Sequence, residues 1–308
     1  MAGNPAACAV GIRSKGRGPR AEVFVLPAVI AFQGEFGAFS EEAVRRWDPA
    51  ADPLPCHAFA DVFAAVASGR AALGILPIEN SNAGSVRENY DLLMTNSLTV
   101  QGEITVRVDQ CLLAVPGTRL PDVHRVYSHP QALAQCAAYL RALGAESIAV
   151  YDTAGSARTI ARQREPGAAA IASARAATLY GLDVLARGIQ ESADNTTRFY
   201  VVGREGEGHC LPLEPGRAYR TIVALALRED DSPGALYWCL GTLAYWRINL
   251  LKIESRPSHR RPWHHIFYLN LAAHADEPSC AAALRELGPR TTMLRILGSF
   301  PAAEGEDG

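Results

Sequence analysis

The feature that most limits the fold is an alternation of short apolar, β-branched runs with amphipathic stretches across residues 28–202. Such alternation packs helices against a largely parallel sheet, which is the α/β class. AVIAF (28–32) reads as a first strand and is followed by the glycine-bearing loop QGEFGAF. Ser40 reads as a helix N-cap, with Glu41 and Glu42 in the first turn, where the helix dipole favours acids. FADVFAAVASG (59–69) reads as a helix with Val62, Phe63 and Val66 on one face and Gly69 as its stop. ALGILPIEN (72–80) is a strand running into a polar loop, and a helix around Glu88–Met94 precedes two strands in TVQGEITVRVDQCLLAV. A second set follows: the strand RVYSHP (125–130), a helix Gln131–Leu143, the strand SIAVYDT (147–153), a helix after Ser156 and the strand AAAIAS (168–173). NTTRFYVV (195–202) is a late strand, able to return to the first lobe. Each polar motif falls just after a strand, at the edge where open α/β sheets bind ligands.

The order changes after GREGEGHCLPLEPGR (203–217), whose Gly, Pro and Glu content reads as a linker. RTIVALAL is a strand, GALYWCLGTLAYW a helix, NLLKIESRP and WHHIFYLNL a strand pair, CAAALREL a helix and TMLRILGSF a last strand. That is βαββαβ, the ferredoxin-like pattern of a small separate domain. The expected layout is an N-terminal disordered extension (1–27), a two-lobed α/β domain (28–203, second lobe about 110–190), a linker (204–218), a ferredoxin-like domain (219–300) and a tail (301–308).

Composition excludes several chemistries. A net charge of −2 from 30 basic and 32 acidic side chains gives no basic stripe for nucleic acid or an anionic membrane. Among the basic residues only Lys15 and Lys252 are lysines, and only Lys252 lies in a patterned segment, which argues against Schiff-base catalysis. The seven cysteines are scattered without a C-x-x-C, so they read as reduced, buried residues of a cytoplasmic protein. The best apolar run, Val23 to Phe32, holds Pro27 and is too short to span a bilayer. Residues 1–27 could resemble a transit peptide, but a disordered extension is the preferred reading.

Six motifs can be taken together: PIENS (77–81), YSHPQ (127–131), TAGSA (153–157), NTTRF (195–199), GALYWCLG (234–241) and ESRP (254–257). In this order the chain resembles the prephenate dehydratases with a C-terminal ACT domain, from about residue 28 to 300, in the form without a preceding mutase domain. The resemblance implies a two-lobed, periplasmic-binding-protein-like catalytic domain and loss of carbon dioxide and hydroxide from prephenate to give phenylpyruvate. No metal or cofactor is implied. Thr197 takes the catalytic role, donating to the departing oxygen as a general acid would. Arg198 is implied as a fork for a substrate carboxylate, with Phe199 beside it. Glu79, Asn80, Ser128 and Gln135 correspond to loop residues that orient the substrate, and Thr153 and Ser156 to further cleft residues. From the residues alone each could equally cap a helix or brace a loop, and Ser128 before His129-Pro130 occupies a capping position. The two lobes would close over a cleft, excluding water from the developing charge. QGEFGAFS could present backbone N–H groups to an anion.

The same resemblance implies L-phenylalanine as a feedback effector, held by Gly234, Ala235 and Leu236 after the turn at Asp231 and by Glu254, Ser255, Arg256 and Pro257. A homodimer or homotetramer is expected from the ACT domain. Adjacent histidines in HRRPWHH (259–265) point to opposite strand faces and do not converge on a metal. Two alternatives stay open: arogenate dehydratase, which accepts an amino group where prephenate has a keto group, and a non-catalytic amino-acid sensor.

Overall fold

The computed structural model describes residues 27–206, 213–214, 216–228, 233–258 and 264–303. The expected extension up to residue 26, much of the linker, the Asp231-Ser232 turn, residues 259–263 and the tail from 304 lie outside the described residues. In chain order the first elements are β1 (Val29–Gln33), α1 (Phe39–Trp47), β2 (Asp52–Cys56), α2 (Phe59–Ala67), β3 (Leu73–Asn80), β4 (Gly84–Ser85), α3 (Arg87–Thr95) and β5 (Leu98–Arg107). Next come β6 (Cys111–Ala114), β7 (Arg125–Ser128), α4 (Pro130–Gln135), α5 (Ala137–Leu143), β8 (Glu146–Ala149), α6 (Thr153–Gln163), β9 (Ala168–Ala172), α7 (Ala174–Tyr180) and β10 (Asp183–Ala186). The last are β11 (Thr196–Arg204), β12 (Tyr219–Leu227), α8 (Ala235–Tyr245), β13 (Leu250–Pro257), β14 (His265–Leu271), α9 (Pro278–Leu287) and β15 (Thr291–Pro301).

These elements form two compact units. The first takes the described chain up to Ala58, with Arg70–Leu73 and Val108–Ala193. Its five-stranded sheet runs β10-β6-β9-β7-β8. The all-apolar run of β9 is buried along its whole length, as a strand covered on both faces requires. Leu113, Ile160 and Ala176 pack in one core cluster, and Leu112, Val126, Leu133 and Leu140 in another. In the same unit β1 and β2 pair in parallel, Val29 opposite Asp52.

Local chemistry departs from the sequence reading at three helices of this unit. Helix α1 begins after Ala38 rather than Ser40. The reason is Glu41, whose Oε2 accepts the Gly37 N–H at 2.7 Å and does the work of a cap from inside the first turn. That carboxylate occupies the turn which the sequence offered to an external anion, and Arg175 closes on it at 2.7 Å. The single helix expected over Gln131–Leu143 is broken at Cys136, whose backbone leaves the helical region (φ −110°, ψ 14°). Helix α6 starts at Thr153, three residues before Ser156, because Asp152 accepts the Gly155 N–H at 2.9 Å as its N-cap.

The second unit holds Phe59–Gly69, Gly74–Arg107 and the described chain from Asp194 onward. Here β3, β11 and β5 are neighbours in that order, with β4 beside β3. The late strand β11 runs antiparallel to β5, Thr197 opposite Val106 and Phe199 opposite Ile104. The C-terminal elements give a four-stranded sheet, β13-β14-β12-β15, with α8 and α9 over one face. This is the βαββαβ arrangement the pattern predicted. Its core joins Val223, Leu225, Leu269 and Leu271 to Leu243, Leu284 and Leu287. Strand β15 crosses β5 so closely at Gly298 that an added Cβ would overlap the Val100 carbonyl.

Candidate active site

The polar centre of the second unit is built on the adjacent ends of β3 and β11. Asn80, the last residue of β3, is 5% exposed and points its amide at the start of β11. Its Nδ2 donates to Asn195 Oδ1 at 2.8 Å, to the Thr196 carbonyl at 3.0 Å and to Thr197 Oγ1 at 2.9 Å. Its Oδ1 accepts the backbone N–H groups of Asn82 and Ala83 at 3.1 and 3.0 Å. Two backbone donors on one side fix which end of the amide is oxygen, and therefore that Thr197 receives a hydrogen bond. The Thr197 hydroxyl is left with its own proton to give elsewhere. Ser81 completes the lacing, its Oγ donating to the Asp194 carbonyl at 2.8 Å and accepting from the Thr196 N–H at 3.0 Å.

Strand alternation divides the remaining candidates of this unit. Neighbouring residues on a strand face opposite ways, so Glu79 and Arg198 lie on the other side of the sheet from Asn80 and Thr197. Arg198 Nη1 stands 4.0 Å from Glu79 Oε2, and its Nε is 3.8 Å from Glu103 Oε2. Glu103 in turn is gripped by both oxygens by Arg220 Nη1, at 2.9 and 3.0 Å. Glu79 Oε1 meets Lys252 Nζ at 2.9 Å. Arg198 thus stands near two carboxylates of its own chain, on the face of β11 opposite Thr197. Phe199 lies in the core, 2% exposed.

Ser128, Gln135, Thr153 and Ser156 belong to the first unit. Ser128 is fully buried, and its Oγ donates to the Ile171 carbonyl at 2.7 Å. The capping role read for it falls to His129, whose Nδ1 accepts the Gln131 N–H. Gln135 Oε1 accepts from Gln110 Nε2 at 3.2 Å. Thr153 opens α6, and Ser156 Oγ donates to the Asp152 carbonyl at 2.6 Å. Ser156 also lines a cavity of about 490 Å³ with Glu35, His57, Tyr151, Asp152 and Arg158. The His57 and Tyr151 rings stack there at 4.7 Å, and the Tyr151 hydroxyl donates to the His57 carbonyl.

In the C-terminal sheet Gly234 takes a left-handed conformation (φ +97°) just before Ala235 and Leu236 open α8. On β13 the side chains alternate: Glu254 accepts from Ser85 Oγ at 2.8 Å and Arg256 donates to Asp91 at 2.7 Å. Ser255 and Pro257 face the other way and are exposed, Ser255 Oγ lying 3.4 Å from His265 Nδ1. Asn195, Glu103, Arg220 and Lys252 were not singled out as site residues from the sequence. For Lys252 a signal existed, since it is the one lysine within a patterned segment.

A buried Asn–Thr pair at adjacent strand ends, in the same unit as a four-stranded ferredoxin-like sheet, marks an α/β protein with a candidate polar site. The chain matches the family described as prephenate dehydratase over residues 30–207, and it belongs to that family. It is 41% identical to "Arogenate dehydratase/prephenate dehydratase 2, chloroplastic" of Arabidopsis thaliana, over 88% of this chain and 72% of that protein. Further plant relatives at 39–40% identity are named arogenate dehydratases, some of them chloroplastic. A solved structure described as "GqqA- a novel type of quorum quenching acylases" is 38% identical with a TM-score of 0.81, covering 90% of this chain and 98% of that one. A prephenate dehydratase from Arthrobacter aurescens, in complex with L-Phe, is 33% identical with a TM-score of 0.80, covering 88% and 89%. The protein is thus a dehydratase of the prephenate/arogenate class with the mixed α/β, periplasmic-binding-protein-like fold of that family and an ACT-type C-terminal sheet. The cytoplasmic placement read from the cysteines is overturned by the chloroplastic relatives. Burial pushes the Cys136 thiol up to about 12 and the Cys280 thiol up to about 11.

Proposed function

We propose that the chain decarboxylates and dehydrates arogenate to phenylalanine, with prephenate as the second substrate, and that Thr197 gives the leaving oxygen its hydrogen bond. The observation that carries this chemistry is the 2.9 Å bond from Asn80 Nδ2 to Thr197 Oγ1. The electron pair of the breaking bond to carbon dioxide moves into the ring as it aromatises and expels the ring oxygen. That oxygen takes up a proton and departs as water. A donor aimed at it lowers the barrier as charge develops, typically by ~10²–10⁴ in rate. The names of the plant relatives favour arogenate over the prephenate reading drawn from the sequence, and they favour a plastid location. An acylase reading would need a general base on the Thr197 hydroxyl, and an amide that donates to that oxygen cannot serve as one.

L-phenylalanine is the proposed feedback effector, acting on the sheet that carries Gly234–Leu236 and ESRP, and the L-Phe complex of a relative supports this. A second copy of the chain is the proposed partner. Tyr237, Trp238 and Tyr245 on α8 and Leu251 and Ile253 on β13 are exposed in the single chain, which supports association. The test is to supply purified protein with arogenate and prephenate in parallel, reading phenylalanine and phenylpyruvate. Faster turnover of arogenate is expected, a prephenate preference would reverse the order, and turnover of neither would refute the function. Added L-phenylalanine should lower turnover and raise the melting temperature. If it does neither, regulation fails while catalysis stands.

A further inference from the structure

We propose that Lys252, on the edge strand β13 of the C-terminal sheet, is a positioning residue of the dehydratase site. Its ammonium holds the Glu79–Ser85 rung of the β3–β4 hairpin, and that hairpin holds Asn80 on Thr197. The inference rests on the reading of Thr197 as the group that acts on the leaving oxygen.

The hairpin needs an external hold. Strand β4 is two residues long, and residues 81–84 are exposed. So short a ribbon is marginal by itself. Yet its conformation decides where the Asn80 amide points, because the N–H groups of Asn82 and Ala83 bind Asn80 Oδ1. Glu79 and Ser85 face each other across the ribbon, one residue back from the Asn80–Gly84 pair. Lys252 reaches both sides of that rung, Glu79 Oε1 at 2.9 Å and Ser85 Oγ at 3.0 Å. Ser85 Oγ then donates to Glu254 Oε2 at 2.8 Å. Lys252 and Glu254 are two apart on β13 and so share a face. Further along the strand Arg256 binds Asp91 of α3 at 2.7 Å, and from β14 the Tyr268 hydroxyl donates to the Tyr90 carbonyl at 3.1 Å.

The side-chain type suits the task. An ammonium has three donors around one point of charge, and Lys252 uses it between two oxygens while lying 5.6 Å from the centre of the Tyr90 ring. A planar guanidinium would not meet the same three partners from the same stem. Lys252 is also mostly buried, its side chain 16% exposed, so its charge is poorly screened. Without it the Glu79 carboxylate is left to Arg198, 4.0 Å away, and Ser85 loses a donor. The hairpin is then freer, and the Asn80 amide spends less time aimed at Thr197. Because the Thr197 hydrogen bond counts most in the transition state, the loss should fall on kcat and leave KM nearly unchanged.

The experiment uses the full chain with Lys252→Met, Asn80→Ala and the double variant, assayed with arogenate and prephenate. Lys252→Met should lower kcat about three- to tenfold, the worth of one oriented hydrogen bond, with KM within about twofold of wild type. In the Asn80→Ala background the same change should cost nothing further, since the group through which it acts is gone. Hydrogen exchange supplies a readout independent of turnover: the Asn82 and Ala83 amides should exchange about tenfold faster in Lys252→Met. Ser85→Ala, which removes only the hydroxyl linking Lys252 to Glu254, should move both readouts in the same direction and serves if Lys252→Met does not fold. An unchanged kcat, losses that multiply in the double variant, or unaltered exchange would overturn the proposal. A wild-type chain inactive on both substrates would refute the proposed function instead, and the exchange arm would still decide whether Lys252 holds the hairpin.

Discussion

Replacing Thr197 by valine separates catalysis from stability more cleanly than any other single change. Valine is nearly isosteric and β-branched, so the strand loses a hydroxyl and little else. Asn80 Nδ2 carries two hydrogens and now serves three acceptors: Asn195 Oδ1 at 2.8 Å, the Thr196 carbonyl at 3.0 Å and Thr197 Oγ1 at 2.9 Å. Removing the last leaves two acceptors for two hydrogens, and no buried donor is stranded. The stability cost is therefore that of one satisfied neutral hydrogen bond, about 1 kcal/mol. For a chain of this size that corresponds to a fall of about 2–4 °C in Tm. The rate should fall by about 10²–10⁴, or about 2.7–5.4 kcal/mol of barrier, because the oxygen that leaves has lost its donor. Turnover of arogenate and prephenate, with thermal melts on the same preparations, makes the comparison. Thr197→Ser keeps the hydroxyl and should retain activity to within about tenfold. A valine variant whose kcat/KM stays within threefold of wild type would refute the assignment of Thr197. One that melts more than 10 °C lower would show the hydroxyl to be structural.

Two further expectations concern the scaffold. Burial alone would raise the pKa of Glu41, but the Arg175 guanidinium, the Gly37 N–H and Arg45 outweigh it and hold the carboxyl below its ordinary value. A lowered folded pKa contributes stability above the unfolded value, and this is lost as pH falls through the folded one. Glu41→Gln should thus cost about 1–3 kcal/mol at pH 7, held to that range because Arg175 is 42% exposed and its stranded charge stays hydrated. The gap to wild type should narrow as pH falls below 4.5, and urea melts showing a gap independent of pH would contradict the account. Gly298→Ala places a Cβ on the Val100 carbonyl, so β15 must move off β5. A loss of about 1–3 kcal/mol or more is expected, and a neutral variant in the same melts would disprove the close approach.

The sequence determined what depends on neighbours along the chain. The period of apolar residues gave the α/β elements from β1 onward and the βαββαβ order after residue 218, because burying one face of a strand or helix leaves its period in the sequence. The six motifs carried the family, and with it the proposal of Thr197 and Asn80 as site residues. Two helix starts were misplaced: Glu41, inside the first turn of α1, does the capping expected of Ser40, and Asp152, upstream of Ser156, is the N-cap of α6. Segments of alternating small apolar and polar residues, such as those forming α7 and β10, were not marked as elements because short stretches have too few periods to stand out.

Only the tertiary structure decided which polar residues meet. In NTTRF the sequence sets Thr197 and Arg198 side by side, whereas the pleat sends them to opposite faces of the sheet. One face brings Asn80 to Thr197 across 117 positions of chain. The other gathers Glu79, Glu103, Arg198, Arg220 and Lys252 from four strands and one hairpin. Nothing in the sequence spacing of these residues encodes their contact, because the register of distant strands is set by the packing of whole sheets. The chain by itself specified the chemistry available at the ends of its strands. Folding chose which of those groups meet, as Asn80 meets Thr197 and Lys252 meets Glu79.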